Sequence, residues 1–116
     1  MADAKRYNLR VPLAASAKLS YLSDKGPRSI ESTVASISLS GIGLYADCIL
    51  TIDTAVSIQI NFISADGLMN TDTVEGSVVN ANEIQDLCYL CIAFKEDLNP
   101  QKQPFLFSHL QRILRN

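Results

Sequence analysis

Alternation of apolar and polar residues over short segments is the feature that most limits how this chain can fold. The clearest example runs from Val56 to Phe62, and residues 15–21 and 74–78 follow the same pattern. A period of two places every second side chain on one face of a β-strand, so each segment is predicted to be a half-buried strand. Residues 87–94 are apolar on both faces and are expected to form the most enclosed strand.

Residues that favour turns separate the predicted strands. They occur at residues 23–27, at residues 65–67 and around Asn80-Ala81-Asn82. Short strands joined by tight turns are typical of an antiparallel barrel or sandwich. The sequence therefore predicts an all-β architecture of six or seven antiparallel strands.

The end of the chain changes to a helical period. Leu106, Leu110 and Ile113 recur at the spacing of one face of a helix. Asn99-Pro100 is a start signal, and Pro104 is expected to delay the first full turn. We predict a C-terminal helix that buries this apolar stripe against an end or a face of the strands.

The composition excludes several classes of protein. A chain of 116 residues with 47% hydrophobic and 19% charged residues is one globular domain rather than a disordered segment. No apolar run approaches the ~20 residues of a membrane span, and the N-terminus lacks the apolar region of a signal peptide. We therefore expect a cytoplasmic protein without membrane insertion. The net charge of −2 argues against a nucleic-acid partner, which requires many phosphate-neutralising cations.

Catalysis and metal binding have no support in the sequence. His109 is the only histidine, and neither a cysteine nor a carboxylate lies near it at metal-ligand spacing. Cys88 and Cys91 match a C-x-x-C pattern, but an offset of three on a strand places their side chains on opposite faces. We interpret both cysteines as small packing residues. No enzymatic activity, metal or cofactor is expected.

Two weak signals occur at the two ends of the first predicted hairpin. Four of the cations lie within residues 1–23, and Arg6 and Arg10 are four positions apart, directly after Lys5. Residues 36–44, with the sequence SISLSGIGL, form a serine- and glycine-rich approach to an apolar strand. Arginine offers a planar fork of donors for phosphate or a guanine edge, and small residues let a ligand approach the backbone closely. Together the two signals predict a local site for an anionic ligand.

These two signals together resemble the signature of the PilZ domain family. That signature is R-x-x-x-R in an N-terminal arm, followed some 20–30 residues later by [D/N]-x-S-x-x-G. Arg6 and Arg10 match the first motif in full, and Ser38 and Gly41 match the second. The resemblance covers essentially the whole chain, from the arm to the C-terminal helix.

The resemblance implies a six-stranded β-barrel that binds the bacterial second messenger cyclic di-GMP. It divides the chain into a flexible arm, residues 1–13, and a barrel with a C-terminal helix, residues 14–116. Ligand closure of the arm on the barrel would create a surface for an effector protein. The ligand-binding residues that it implies are Arg6, Arg10, Ser36, Ser38 and Gly41, with Lys5 and Ser40 as additional candidates.

One position departs from the family pattern and leaves a second function open. Ser36 stands where the family has Asp or Asn, whose side chain accepts a hydrogen bond from the guanine edge. Serine is shorter, and loss of a good polar contact costs about 1–3 kcal/mol, or roughly ten- to hundredfold in affinity. The alternative is a protein-interaction module of the same fold, in motility or pilus machinery, that does not bind the nucleotide. A third candidate, a nucleic-acid-binding barrel, lacks the aromatic platforms on a cationic face that such proteins need.

Overall fold

The predicted strands and the C-terminal helix are present in a computed structural model, which describes residues 9–47, 50–64 and 66–115. Two hairpin turns lie where the sequence predicts them, at residues 23–26 and between Ile63 and Met69. The elements in chain order are β1 Val11–Pro12, β2 Ala15–Ser23, β3 Gly26–Ile37, β4 Gly41–Ala46, β5 Ala55–Ile63, β6 Met69–Ile84, β7 Leu87–Phe94 and α1 Pro104–Arg115.

Six of these strands close into an antiparallel barrel. Their order around the sheet is β3-β2-β5-β6-β7-β4, and pairing between β3 and β4 closes the circle. The two-residue strand β1 adds to β3, with Val11 opposite Ile37. The prediction of a six- to seven-stranded antiparallel barrel with a C-terminal helix is confirmed.

Alternation along the strands builds one core inside the barrel. On β5, the four apolar residues from Val56 to Phe62 are at most 4% exposed, while the residues between them face outwards. Leu106 and Leu110 of α1 are buried in the same core, as the helical spacing predicts. Phe107 and Leu114 pack against this core as well, whereas Ile113, predicted in the same buried stripe, is exposed.

Side chains from β6 and the preceding loop fix the start of α1. The Asp72 carboxylate, only 5% exposed, accepts the backbone N–H of Leu106 at 2.7 Å and so caps the first turn. Gln103, directly before Pro104, donates its side-chain amide to the Thr73 carbonyl at 3.1 Å. Burial raises the pKa of Asp72, and the backbone donors of α1 act in the opposite direction. The helix begins at Pro104, whose fixed φ suits the first helical position.

Two sequence-based expectations about strands were wrong. Asn80-Ala81-Asn82 is not a turn but lies within β6, where the register shifts between Val78 and Asn80 in a β-bulge. The chain reverses instead at residues 85 and 86, where Gln85 has a φ of 56°. The most enclosed strand is β4 rather than β7, because even its outward-facing glycines are buried. An asparagine cluster signals irregular backbone but does not distinguish a bulge from a turn.

His109 of α1 is half-buried rather than a surface histidine. Its ring meets the edge of Phe62, with the ring centroids 5.5 Å apart, and its Nδ1 is buried without a hydrogen-bond partner among the described residues. Burial and, to a lesser extent, the Arg112 guanidinium lower the pKa of His109 below the ordinary 6.5. Protonation therefore disfavours the folded state.

This burial predicts a pH-dependent stability. A histidine whose pKa is depressed by folding contributes stability above its unfolded pKa, and the contribution is lost as pH falls through the folded value. We expect the melting temperature of the parent to decrease as the pH is lowered from neutrality through about 6.5 and below. His109→Phe keeps the aromatic contact and should show a smaller decrease over the same range. Equal slopes for parent and variant in calorimetric melts would contradict this role.

Candidate functional site

The turn between β3 and β4 is held by the hydroxyl of Ser38. This oxygen accepts the backbone N–H of Gly41 at 3.1 Å and of Ser40 at 3.2 Å. The Ser38 N–H donates in turn to the Gly41 carbonyl at 2.8 Å, and the residue is 3% exposed. The sequence predicts that Ser38 binds the ligand. In the structure its hydrogen bonds stabilise the turn where β4 begins. Ser40, the additional candidate, is half-buried in the same turn.

Two glycines on the outer face of β4 lie beneath Arg10. Ile42 and Leu44 point into the core, so Gly41 and Gly43 face outwards. A Cβ atom at Gly41 would lie 3.7 Å from Nη2 of Arg10, and one at Gly43 would lie 3.3 Å from Nη1. The guanidinium therefore rests over the small-residue start of β4, where larger residues would hold it away.

The short pairing of β1 with β3 explains this position of Arg10. Val11 is 8% exposed and Leu13 is 6% exposed, and both belong to the core cluster. Both lie within the predicted arm, residues 1–13, so the end of that arm is packed on the barrel directly after Arg10. Residues 1–8, which include Arg6 and Lys5, lie outside the described residues, and the mobility of the arm stays a prediction.

Ser36 lies on the same patch of the outer face. It is the direct cross-strand partner of Gly43 on one side and of Pro12 on the other. Directly opposed residues in an antiparallel pair share a face and have Cβ positions about 4.5–5.5 Å apart. The fold therefore brings Arg10, Ser36 and the two glycines together, although Ser36 is 26 positions from Arg10 in the chain.

A pair of tyrosines that no sequence motif indicated borders this patch. Tyr89 of β7 and Tyr45 of β4 are cross-strand partners, with ring centroids 5.1 Å apart. The Tyr89 hydroxyl lies over Gly43, so closely that a Cβ atom there would collide with it. The alternation of Gly43 with Tyr45 signals a shared outward face, but the contribution of Tyr89 depends on the register of β7 and carries no sequence signal.

The two glycines respond differently to an added methyl group, which gives a testable pair of substitutions. A Cβ atom at Gly41 would lie 2.8 Å from the Ile92 carbonyl oxygen, a backbone atom that cannot move without disturbing the sheet. We expect Gly41→Ala to cost about 1–3 kcal/mol of stability. At Gly43 the obstacle is the end of the half-exposed Tyr89 side chain, so Gly43→Ala should cost less and displace that ring. Denaturant unfolding of both variants checks this order, and equal losses would contradict it.

Of the two cysteines of β7, Cys91 borders this patch, because it is the direct cross-strand partner of Gly43. Cys88 is buried on the inner side of β7 and Cys91 is half-exposed on the outer side, so the two cysteines point to opposite faces. A groove of about 620 Å³ lies between the end of β2 and the start of β5, and none of the predicted site residues that the structure describes lines it. The described residues contain no cluster of three or more potential metal ligands. Nor does any helix among them have the length and apolarity to span a membrane.

Comparison with known proteins rests on structure. Neither the protein-family models nor the curated proteins compared with the chain include a match. Among solved structures, the Bacillus subtilis inhibitor of motility MotI (DgrA) is similar over 93% of this chain, with a TM-score of 0.69 and 12% identity. The PilZ domain of YcgR from Escherichia coli, solved with cyclic di-GMP, is similar over 92%, with a TM-score of 0.54 and 15% identity. This chain has the PilZ fold.

This chain corresponds to different fractions of the two similar structures. The chain covers 86% of the YcgR domain but only 51% of MotI, so it spans about half the length of that protein. At 12% and 15% sequence identity, the similarity is one of backbone fold and not of individual side chains. The resemblance to PilZ domains, first noted in the sequence motifs, is therefore confirmed at the level of the fold.

Proposed function

We propose that this PilZ-fold domain binds cyclic di-GMP and transmits the binding event to a partner protein by ordering its N-terminal arm over the barrel. The observation that carries the proposal is the position of Arg10, whose guanidinium lies over Gly41 and Gly43 beside Ser36. Arg10, the described arginine of the first motif, thus lies on the same outer patch as Ser36 and Gly41, which supports the proposal.

The chemistry of this patch suits a dianionic purine dinucleotide. An arginine fork pairs in bidentate fashion with guanine O6 and N7 or with phosphate, and its flat face stacks on a base. Because Gly41 and Gly43 have no side chains, the Arg10 guanidinium lies close against β4, where its outer face can meet a ligand. In this proposal Arg6, with Lys5 beside it, supplies the second cation from the arm. Since cyclic di-GMP is an intracellular messenger, the proposal also implies a cytoplasmic receiver without catalysis or cofactor.

The similar structures also support the proposal. The YcgR domain of the same fold was solved with cyclic di-GMP, and MotI is named as an inhibitor of motility. A domain of this fold with the bound messenger and an inhibitor of motility both agree with a receiver whose output passes through another protein. The effector of this chain is proposed by class only, as a protein that recognises the ordered arm.

Isothermal titration calorimetry with cyclic di-GMP tests the proposal directly. We expect saturable binding, and the linear dinucleotide pGpG should bind more weakly because it lacks the cyclic constraint that preorganises the two guanines. Absence of cyclic di-GMP binding at the highest soluble protein concentration would overturn the proposed function. Equal affinity for the two dinucleotides would indicate an unselective anion site and would also contradict it.

A second candidate function is a protein-interaction module that does not bind the nucleotide. Two observations favour it: Ser36 replaces the family's acidic or amide side chain, and the Tyr89 hydroxyl already covers Gly43. In this alternative, Arg10 and the tyrosines contact a protein instead of a nucleotide. The calorimetric result distinguishes the two candidates, since the interaction module predicts no heat of binding with either dinucleotide.

A further inference from the structure

The hairpin formed by β6 and β7 extends beyond the neighbouring part of the barrel wall. Pairing between β5 and β6 ends at Ala55 opposite Ser77, whereas β6 continues to Ile84. On its other side, β6 remains paired with β7 as far as Ile84 opposite Leu87. Among the residues that the structure describes, the last part of β6 therefore has a neighbouring strand on one side only.

Backbone hydrogen bonds on the side of β5 end one residue later. Val78 donates its N–H to the Thr54 carbonyl at 3.0 Å and accepts the N–H of Asp53 at 2.7 Å. Within the described parts of the chain, nothing bonds the backbone of Val79–Ile84 on that side. We call Val79–Ile84 the open edge. Alternate residues of such a segment direct their N–H and C=O groups outwards, which makes it a template for another strand.

The side chains along the open edge offer little protection against pairing. Val79 is 49% exposed and Ile84 is 50% exposed, and Leu87 just beyond the turn is 43% exposed. Natural edge strands are commonly protected by lysine, proline or inward-pointing charges. The open edge has neither lysine nor proline. Its single charged residue, Glu83, lies on the same face as Cys88 but is exposed. The bulge at its start, between Val78 and Asn80, leaves a regular segment from Asn80 onwards.

We propose that the open edge pairs with the same edge of a second copy of this chain, which gives an antiparallel two-fold dimer with one continuous sheet. A two-fold axis perpendicular to the sheet reverses the strand direction, so each outward N–H of one copy meets a carbonyl of the other. An axis at Asn82 sets the two Asn82 amides opposite each other and each Glu83 opposite an Ala81. The two Glu83 carboxylates are then diagonal rather than directly opposed, and the edge is self-complementary in its backbone hydrogen bonding.

Sedimentation velocity over a wide range of concentrations, without nucleotide, tests this proposal. Because one strand from each copy forms a small interface, we expect weak association in which the mean mass rises from 12.7 kDa towards twice that value. Asn82→Lys places two cations on the axis and should shift the protein to monomer. The matched control is Gln59→Lys, an exposed position on β5, which is paired on both sides, and this variant should associate like the parent.

Hydrogen exchange identifies the surface that associates. Alternate amides within residues 79–84 should exchange more slowly at high than at low concentration, while amides at the end of α1 should not change. A monomer at every concentration would overturn the proposal. So would association in which residues 79–84 exchange equally fast at all concentrations, since that result would assign the contact to another surface. Because these measurements use no nucleotide, their outcome is independent of whether the domain binds cyclic di-GMP.

Discussion

Replacing Arg10 by alanine is expected to weaken cyclic di-GMP binding by about tenfold to more than hundredfold. The guanidinium that lies over Gly41 and Gly43 is the one described cation of the proposed site, and hydrogen bonds to a charged group contribute about 1.5–3 kcal/mol each. The measurement is isothermal titration calorimetry of the parent and the variant. Arg10 is exposed, so the loss should come with little change in thermal stability.

Two further variants make this result specific for Arg10. Arg28→Ala removes the same charge from an exposed position on β3 that lines the distant groove of about 620 Å³, and it should bind like the parent. Arg10→Lys keeps the charge but loses the planar fork, so most of the affinity should be lost. If Arg10→Ala and Arg28→Ala weaken binding equally, net charge rather than a defined contact drives it. If neither weakens binding, the patch on β4 is not the ligand site.

Replacing Ser36 by aspartate is expected to tighten binding by about tenfold or more. The longer side chain restores two acceptor oxygens on the outer face, opposite Gly43, where the family pattern has Asp or Asn. A regained polar contact of about 1–3 kcal/mol corresponds to roughly ten- to hundredfold in affinity. The same titrations measure the effect.

The new carboxylate also introduces a charge near Arg10, and two controls separate this effect from recognition of the base. Ser36→Asn restores an acceptor without charge and should tighten binding as well. Ser29→Asp adds the same charge at an exposed, distant position of β3 and should leave the affinity unchanged. Unchanged affinity in both Ser36 variants would mean that this position does not contact the ligand.

The sequence predicted the elements of the fold more successfully than their spatial relations. Alternation from Val56 to Phe62 and the helical stripe of Leu106 and Leu110 correspond to buried faces, because burial imposes those periods directly. Asn80-Ala81-Asn82, predicted to be a turn, is instead a paired part of β6 directly after a β-bulge. Whether β6 continues there depends on β7, a partner that lies next along the chain but whose register no local pattern specifies.

The candidate site was also predictable only in part, because some of its members are placed by strand register and not by a sequence motif. Arg10 and Gly41 carry motif signals, and the fold brings them together on one face. Tyr89 carries none, since its position over Gly43 follows only from the register between β4 and β7. The open edge of β6 was equally hidden, because it reflects where β5 begins rather than any property of residues 79–84.

The hydrogen-bonded turn at Ser38 has a practical consequence for genetic work on this protein. Because the Ser38 hydroxyl satisfies two backbone donors in a nearly solvent-free turn, its removal would raise the unfolded population. Cellular proteases clear such molecules, so a Ser38→Ala allele would reduce protein abundance and mimic a deletion. Alleles at Arg10 would instead leave abundance intact. Protein abundance should therefore be measured by immunoblotting together with the phenotype, before a substitution in this motif is interpreted as a loss of ligand binding.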